Sequence, residues 1–291
     1  MRTLVSSVLF STALATVAAP AFADDAAPST TNAFATMDNT GDGSKLEAET
    51  SIVSFYGEDD DDDDELTLVR TSLLGQYLTP QGFGGYASLD VIHGFSDAFE
   101  DDYTELGNLQ LGGLYQRTLS PNADLGVRVG LVLPTSTDDG TELLHVMGTM
   151  FSRPSEFATA VADSMWLRLG VSPTFHQGLF FARVDGGIDI PVMNPDRGDD
   201  LEVDLDPVGH VNAGVGVGSN GFVGTAELQN AFTFGEMDEN DDLGDRFVHT
   251  AALSARYQGK VVSPYVAAST PLDDFGLGEV FTVTAGISGK L

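Results

Sequence analysis

Cysteine is absent from the 291-residue sequence, which excludes disulfide scaffolds, thiol catalysis, zinc ribbons and lipid attachment through an N-terminal cysteine. Basic residues are scarce, with 13 Lys and Arg against 44 Asp and Glu. Because a chain of net charge −31 has too few cations to neutralise phosphates, we expect no nucleic-acid partner. The hydrophobic content of 42% is too high for a wholly disordered acidic protein, so a folded chain is expected.

A long apolar run is missing beyond the N-terminus, so the sequence predicts no membrane-spanning helix. The least polar stretch, Pro207–Ala226, contains six glycines, which disfavour a helix. Residues 1–23 differ, because Arg2 precedes an apolar run that ends in an A-x-A site at Ala21–Ala23. This order is typical of a secretory signal peptide, and we predict cleavage after Ala23. Residues 24–45 are then interpreted as a periplasmic linker.

Part of this linker resembles a calcium-binding loop. Asp38, Asp42 and Glu49 stand at its first, fifth and twelfth positions. The third position is Thr40, however, and the eighth is Lys45, where an aliphatic residue is usual. A flexible linker with Asn and Gly turns fits these residues better, so we predict neither a metal site nor a cofactor.

Alternating apolar residues predict strands along most of the remaining chain. In Leu125–Pro134 the odd positions are all apolar, whereas the even positions include Gly126, Arg128 and Gly130. The same pattern indicates twelve strands of about 10 residues, the length that crosses a membrane as a tilted strand. They are Leu46–Tyr56, Leu66–Leu78, Gly84–His93, Leu106–Thr118, Leu125–Pro134, Ser164–Thr174, Leu179–Ile190, Val208–Val217, Phe222–Phe234, Arg246–Tyr257, Val261–Thr270 and Val280–Gly289.

The connections between these strands fall into two alternating sets. One set is short, as in His176–Gly178 and Ser219–Gly221. The other set is long and holds 33 of the 44 acidic residues, with Arg153 and Arg197 as its basic residues. Its members are Gly57–Glu65, Gly94–Glu105, Thr135–Asp163, Pro191–Asp206, Gly235–Asp245 and Pro271–Glu279. A β-sandwich does not explain this asymmetry, whereas a membrane barrel has short turns at one end and long loops at the other. We therefore predict an all-β fold, a transmembrane antiparallel up-and-down β-barrel of about twelve strands over residues 46–291.

Two further features resemble the outer-membrane β-barrel proteins of Gram-negative bacteria. Aromatic residues concentrate near strand ends, as in the interfacial girdles of that family. They are Phe55, Tyr77, Tyr115, Trp166, Phe175, Phe180, Phe222, Phe232, Phe234, Phe247 and Tyr257. The chain also ends on an alternating strand similar to the family's C-terminal recognition strand, although Leu291 stands where Phe is usual. Locally, Leu133-Pro134-Thr135 resembles a strand end of barrels associated with uptake of aromatic hydrocarbons.

The resemblance implies a place in the cell outer membrane after cleavage of the signal peptide. Its implied partners are outer-membrane lipid, periplasmic chaperones and the barrel assembly machinery. The acidic connections allow two interpretations: a solvated surface suited to high salt, or an electrostatic vestibule that gathers cations and bridges divalent cations to lipid headgroups.

Polar residues opposite the apolar rows are predicted to line the barrel interior, because charges on the lipid face cost about 2–4 kcal/mol at the midplane. Either they form an internally paired network or they make a selectivity lining. The charged members are Asp90, Arg128, Arg168, Arg183, Asp185, Asp189, Glu227 and Arg256, and the neutral ones include Asn108, Gln110, His210 and Asn212.

The connection Thr135–Asp163 is unusual because it carries many apolar residues. We predict that it folds over or into the barrel mouth as a constriction, with a short helix beginning at Pro154–Glu156. The apolar residues expected in the constriction are Leu143, Leu144, Met147, Met150, Phe151 and Phe157.

Catalytic motifs are missing, since the five histidines share no spacing with a serine or a carboxylate pair. We therefore predict no catalytic residues. The favoured function is a narrow channel for small solutes with an acidic extracellular vestibule. The alternatives are a non-conducting structural or surface barrel and, less favoured, a barrel-embedded lipase or protease.

Overall fold

The computed structural model describes residues 34–37, 40, 41, 43–56, 66–95, 103–136, 142–195, 205–235, 246–273 and 278–291. The predicted signal peptide, the acidic run Asp59–Asp64 and most of the other long connections lie outside this part of the chain. The described strands are β1 (Lys45–Phe55), β2 (Leu66–Leu78), β3 (Phe83–Phe95), β4 (Tyr103–Leu106), β5 (Leu109–Ser120), β6 (Ala123–Leu133), β7 (Met165–Gln177), β8 (Phe180–Met193), β9 (Val208–Ser219), β10 (Phe222–Thr233), β11 (Phe247–Tyr257), β12 (Val262–Pro271) and β13 (Val280–Lys290). Between β6 and β7 lie the helix α1 (Glu142–Ser152) and a 3-10 helix (Pro154–Thr159).

The strands form one closed antiparallel sheet. The first strand, β1, pairs with the last, β13, from Lys45 opposite Lys290 to Phe55 opposite Val280, and this pairing closes the sheet. β4 and β5 follow each other along the same side of β3, separated by two residues. The result is a barrel of 12 strands in which β4 is an extra strand, so the predicted all-β antiparallel barrel is confirmed.

The two faces of the sheet have opposite chemistry, as period-two alternation predicts. Outward side chains are mainly apolar and exposed, and they include Leu73, Leu111, Val129, Phe180, Val215, Leu253 and Val283. Inward side chains are buried and many carry charge, as Arg70, Asp90 and Arg168 do. An apolar belt around a charged interior is the pattern of a barrel whose outer surface faces lipid.

Two aromatic residues predicted for the lipid-facing girdle point inward instead. Trp166 is fully buried, and the Phe55 ring lies 5.3 Å from the Phe151 ring of α1. The alternation accounts for both, because Trp166 shares its face with the inward Arg168 and Phe55 shares its face with the buried Val53. The sequence prediction of a girdle position was wrong for these two residues.

The turns at one end of the barrel are short. β7 and β8 are joined by two residues, as are β9 and β10. Asn220 and Gly221 between β9 and β10 both have positive φ, at 53° and 80°. A two-residue hairpin turn requires this conformation, which Asn and Gly adopt at low cost. We call this the short-turn end, and the opposite one the long-connection end.

A short helix begins at Pro154, as predicted within the connection Thr135–Asp163, but it is a 3-10 helix, and the α-helix that precedes it was not predicted. α1 precedes Pro154, and the residues after it form only the 3-10 helix. Proline explains the break, because its ring disfavours helix in the preceding residue and it lacks a backbone N–H donor. Among the described residues, no helix has the length and apolar character needed to cross a membrane.

Candidate functional site

α1 lies inside the barrel at the long-connection end. Its residues Leu144, Met147 and Phe151 pack against a buried apolar cluster on the wall, formed by Val53, Leu68, Ile92 and Val280. Gly148 allows the close approach, since an added Cβ would collide with the side chain of Ile92. The cluster holds one face of α1 against β1, β2, β3 and β13.

The 3-10 helix and the residues after it pack on the other side of the same end. Ala158 and Val161 are buried with Val132, Trp166 and Val208, and Phe157 packs against this cluster. We call residues 142–161 the inner plug. Of the residues predicted for a constriction, Phe151 is buried, Leu144, Met147, Met150 and Phe157 are partly buried, and Leu143 is 68% exposed. The exposed Leu143 does not take part in the packing expected for it.

Ion pairs fasten the inner plug to the wall. Nε and Nη2 of Arg153 donate to the two carboxylate oxygens of Glu49 on β1, each at 2.6 Å. Arg70 on β2 donates through Nε to Asp90 at 2.8 Å and through Nη2 to Glu156 of the plug. A bidentate Arg–carboxylate pair has a fixed geometry and charge-assisted hydrogen bonds. These contacts are therefore directional as well as strong.

His145 of α1 adds a third fastening point. Its Nε2 lies 3.2 Å from Oδ2 of Asp90, and its Nδ1 lies 3.6 Å from Oε1 of Glu105. Burial by itself would lower the pKa of His145, but the hydrogen bonds and charges of Asp90 and Glu105 raise it to about 9. His145 is therefore positively charged at neutral pH and attracts both carboxylates.

The eight charged residues predicted to line the interior are all buried. Arg168 Nε donates to Asp189 at 2.9 Å, and Arg183 Nε donates to Asp185 at 2.7 Å. Arg168 also donates to Gln110 and to the carbonyl oxygen of Ser155 in the plug. In this structure the first of the two interpretations, a paired internal network, describes these four side chains.

The remaining predicted lining residues have different partners. Arg128 Nη2 lies 3.0 Å from Nε2 of His210, and the Arg256 guanidinium carbon lies 4.2 Å from the centre of the Tyr265 ring. Little space is left beside them, since two interior cavities near Arg128 have volumes of about 30 Å³ and about 10 Å³. The described part of the interior is therefore closely filled around Arg128.

A segment near the N-terminus, Phe34–Met37, lies inside the barrel towards the short-turn end. We call it the N-terminal segment. The carboxylate of Glu227 accepts hydrogen bonds from the backbone amides of Ala35, Thr36 and Met37, at 2.9, 2.9 and 3.0 Å, and from the Thr36 hydroxyl at 2.7 Å. The linker predicted for residues 24–45 did not anticipate this insertion.

Apolar contacts and Arg153 complete the fixation of the N-terminal segment. Phe34 and Met37 are buried with Phe181 and Val223, and the Phe34 and Phe181 rings meet edge to face at 5.3 Å. Arg153 donates to the carbonyl oxygens of Ala35 and Met37, at 2.6 and 2.8 Å. One arginine of the inner plug therefore holds the N-terminal segment as well.

One part of the wall carries buried polar groups without a hydrogen-bond partner. Both amide atoms of Gln229 on β10 are unpaired among the described residues, as are the hydroxyls of Thr250 on β11 and Ser269 on β12. Thr250 lies directly opposite Gln229 in the strand register. Buried polar groups normally find a partner or an ordered water, so this strip is a place where ordered water is expected.

The calcium loop considered for Asp38–Glu49 gains no support from Glu49, which is bound to Arg153. Asp38 and Asp42 lie outside the described residues. Within the described ranges, no cluster of three His, Asp or Glu side chains could hold a metal ion.

Comparison with solved structures identifies the fold. The barrel superimposes on an outer-membrane channel from Pseudomonas putida F1 with a TM-score of 0.57 and 14% identity, covering 85% of this chain and 95% of that one. It also superimposes on the KdgM porin with a TM-score of 0.50 and 8% identity, covering 85% of this chain and 99% of the porin. The chain has the fold of an outer-membrane β-barrel protein. No family model matches its sequence, and no curated protein matches it either.

Several interior residues of this outer-membrane barrel fold were not selected from the sequence. Glu49 and Arg70 could have been found, because each occupies an inward position of an alternating strand. His145 and Arg153 lie on a connection, where alternation gives no signal. The N-terminal segment shows only a small apolar group, Phe34 and Met37, within a polar linker.

Proposed function

We propose that this chain is a narrow outer-membrane channel for small solutes, in which the inner plug controls passage. The supporting observation is that the barrel encloses more space than its own inward side chains fill. Eight strands leave room for side chains alone, whereas this barrel of 12 strands takes up two separate segments of chain. Neither segment pairs with a strand among the described residues, and both are held mainly through side chains, with one backbone hydrogen bond from Asn108 to Thr159 of the plug, so each can leave without opening the barrel wall.

The chemistry of the interior also favours passage of polar solutes. The inner plug meets the wall through Arg153, Arg70 and His145 as well as through apolar contacts. Displacing such a plug exposes charged side chains, which water solvates well. The unpaired strip of Gln229, Thr250 and Ser269 provides a wall section along which water would enter first.

A cation preference is part of this proposal. The long connections carry 33 acidic residues, and we place them on the extracellular side with the short turns in the periplasm. Negative potential at the mouth concentrates cations and repels anions over about a Debye length. The same acidic residues would bind divalent cations between the barrel and neighbouring lipid headgroups.

A non-conducting structural or surface barrel is the second candidate function. The closely filled interior favours it, since the cavities near Arg128 reach only about 30 Å³. The two candidates differ in what removal of the plug does. A channel should conduct when the plug is gone, whereas a purely structural barrel should lose stability without gaining a selective path.

Planar-bilayer recording of the full chain and of a variant lacking Leu143–Phe157 tests the proposal. The deletion should be combined with Glu49→Gln, because it removes Arg153, the ion-pair partner of Glu49, whereas Arg70 keeps its ion pair with Asp90 on the wall. We expect the variant to conduct more and to leak small solutes from proteoliposomes. Unchanged permeability in a correctly assembled variant would refute the channel.

Orientation is tested separately by single cysteines, since the chain has none of its own. Asp62→Cys and Asn240→Cys should react with a membrane-impermeant thiol reagent on intact cells, whereas Asn220→Cys in a short turn should not. The reverse pattern would place the acidic connections in the periplasm and remove the extracellular vestibule from the proposal.

A further inference from the structure

Glu227 differs from the other charged residues of the interior in how its charge is compensated. Glu49, Asp90, Asp185 and Asp189 each form an ion pair with an arginine. Glu227 makes no ion pair with any residue that the structure describes, and its oxygens accept only N–H and O–H hydrogen bonds. A carboxylate without a cation partner is poised to accept one.

The wall beside Glu227 is shaped to receive apolar groups. Phe181 and Val223 line a pocket that the side chains of Phe34 and Met37 fill. Gly214 makes the space, since an added Cβ there would collide with the Phe34 ring and lie 2.9 Å from Sδ of Met37. An alanine at this position would therefore narrow the pocket. The pocket and the carboxylate are built into neighbouring strands β8, β9 and β10.

The N-terminal segment presents two chemical features to this site: a cluster of N–H donors and a pair of apolar side chains. A protonated amine attached to an apolar group presents the same two features in one small molecule. It would also bring the positive charge that Glu227 lacks, and charge-assisted hydrogen bonds are about twice as strong as neutral ones. An aromatic ring such as Phe181 adds attraction for a nearby ammonium group.

We propose that Glu227, Phe181 and Val223 form a binding site for small organic ammonium ions that carry an apolar group, and that the N-terminal segment occupies this site as an internal ligand. The proposal rests on the proposed channel function and names its substrate class. The acidic connections fit it, because they would raise the local concentration of such cations and lower that of anions.

Competition with the N-terminal segment sets the expected affinities. The segment is joined to β1 by only seven residues, 38–44, so its effective concentration at the site is on the order of millimolar. A ligand must displace the segment. The apparent affinity is therefore the intrinsic affinity multiplied by the fraction of molecules in which the site is free. Weakening the segment should therefore strengthen ligand binding, whereas removing the charge of Glu227 should weaken it.

Calorimetry on the full chain in detergent, with phenethylammonium as the probe, tests this relation. In the double variant Phe34→Ala with Met37→Ala we expect at least about 10-fold tighter binding than in the unaltered chain. Adding Glu227→Gln to that variant should weaken binding at least about 10-fold, because the charge is lost while size and hydrogen-bond acceptance remain. Neutral 2-phenylethanol and anionic 3-phenylpropionate should not bind. Equal binding of 2-phenylethanol, or phenethylammonium binding that Glu227→Gln leaves unchanged, would overturn the proposal.

A second readout follows the segment itself. In the variant Met37→Cys the only thiol is buried with the segment, so it should react slowly with a maleimide. Phenethylammonium should speed the reaction by expelling the segment, and 2-phenylethanol should leave it unchanged. A labelling rate that does not respond to phenethylammonium would mean that the amine does not compete for the site.

Neither measurement depends on solute flow, so the two proposals fail in different ways. A barrel that never conducts but binds phenethylammonium through Glu227 would retain the site and lose the channel. A barrel that conducts after removal of the plug but shows no binding would retain the channel and lose the ammonium site. Heat-dependent mobility on SDS gels should confirm that each variant has a folded barrel.

Discussion

At the long-connection end of the interior, three neighbouring strands hold the inner plug through Glu49, Arg70 and Asp90. At the short-turn end, Glu227 holds the N-terminal segment by accepting hydrogen bonds from three backbone N–H groups and the Thr36 hydroxyl. The first closure combines buried ion pairs with two apolar clusters. The second has one carboxylate, one small cluster and the hydrogen bonds of Arg153 to two backbone carbonyl oxygens, but no ion pair of its own among the described residues. Breaking a buried ion pair leaves an uncompensated charge, which costs far more than losing a neutral hydrogen bond. The comparison therefore predicts that displacing the inner plug costs more free energy than displacing the N-terminal segment.

The largest effect is expected from Glu49→Ala, which removes the bidentate carboxylate partner of Arg153 and leaves it only the more distant Glu156 at 3.9 Å. Removing one partner of a buried pair costs about 3–5 kcal/mol, so α1 amides should exchange hydrogen on the order of 100-fold faster or more. Hydrogen exchange followed by mass spectrometry measures this change. Leu46→Ala on the exposed face of the same strand is the matched control and should leave α1 protected. Unaltered protection in Glu49→Ala would show that apolar contacts alone hold the plug.

A matched pair of phenylalanines asks whether the two closures act in series. Phe151→Ala should loosen the inner plug and Phe34→Ala the N-terminal segment, since truncating a buried Phe costs about 3–5 kcal/mol. Because a solute must pass both ends, each variant alone should raise liposome permeability slightly. The double variant should raise it by more than the two single effects combined. If Phe151→Ala alone raised liposome permeability as much as the double variant, the N-terminal segment would not restrict solute passage.

Alkaline pH should weaken the long-connection end. The folded pKa of His145 is about 9, above its ordinary value of 6.5, so its stabilisation is complete below about pH 6.5 and is lost as the pH rises through 9. The loss should amount to at most about 3 kcal/mol. Trp166, the single tryptophan, contacts Phe157 of the plug, and its fluorescence can follow denaturation at each pH. His145→Gln should remove this pH dependence. A dependence that persists in His145→Gln would assign it to another group.

The smallest effect concerns ion selectivity. Seven Lys and Arg and eight Asp and Glu are buried among the described residues, so the interior is nearly balanced and the acidic connections should set the preference. Reversal potentials of an open variant should favour cations at low salt, and the preference should fade as salt screens the mouth. Anion-selective reversal potentials would show that the interior arginines dominate instead.

Period-two alternation and the two kinds of connection were sufficient to predict the strands, their number and the closed sheet. The reason is that each strand has an apolar outward face and a polar inward face, which alternate along the sequence. The same rule places Arg168 and Asp189 inside the barrel. The alternation does not say which arginine pairs with which aspartate, because Asp185 and Asp189 both share the inward face with Arg168 and Arg183. The strand register decides, because Arg168 lies opposite Asp189. Arg183 is left to bond Asp185 two positions along its own strand.

The sequence by itself therefore determined the barrel, the sides of its strands and the apolar character of the connection Thr135–Asp163, because these depend on local periodicity and composition. Tertiary structure alone decided that α1 lies before Pro154 and that Arg153 contacts both Glu49 on the wall and the N-terminal segment. It also decided that the N-terminal segment donates hydrogen bonds to the carboxylate of Glu227. Those contacts join residues 104 to 192 positions apart along the chain. No local pattern encodes such contacts, since they depend on which surfaces meet when the sheet closes around the segments inside it.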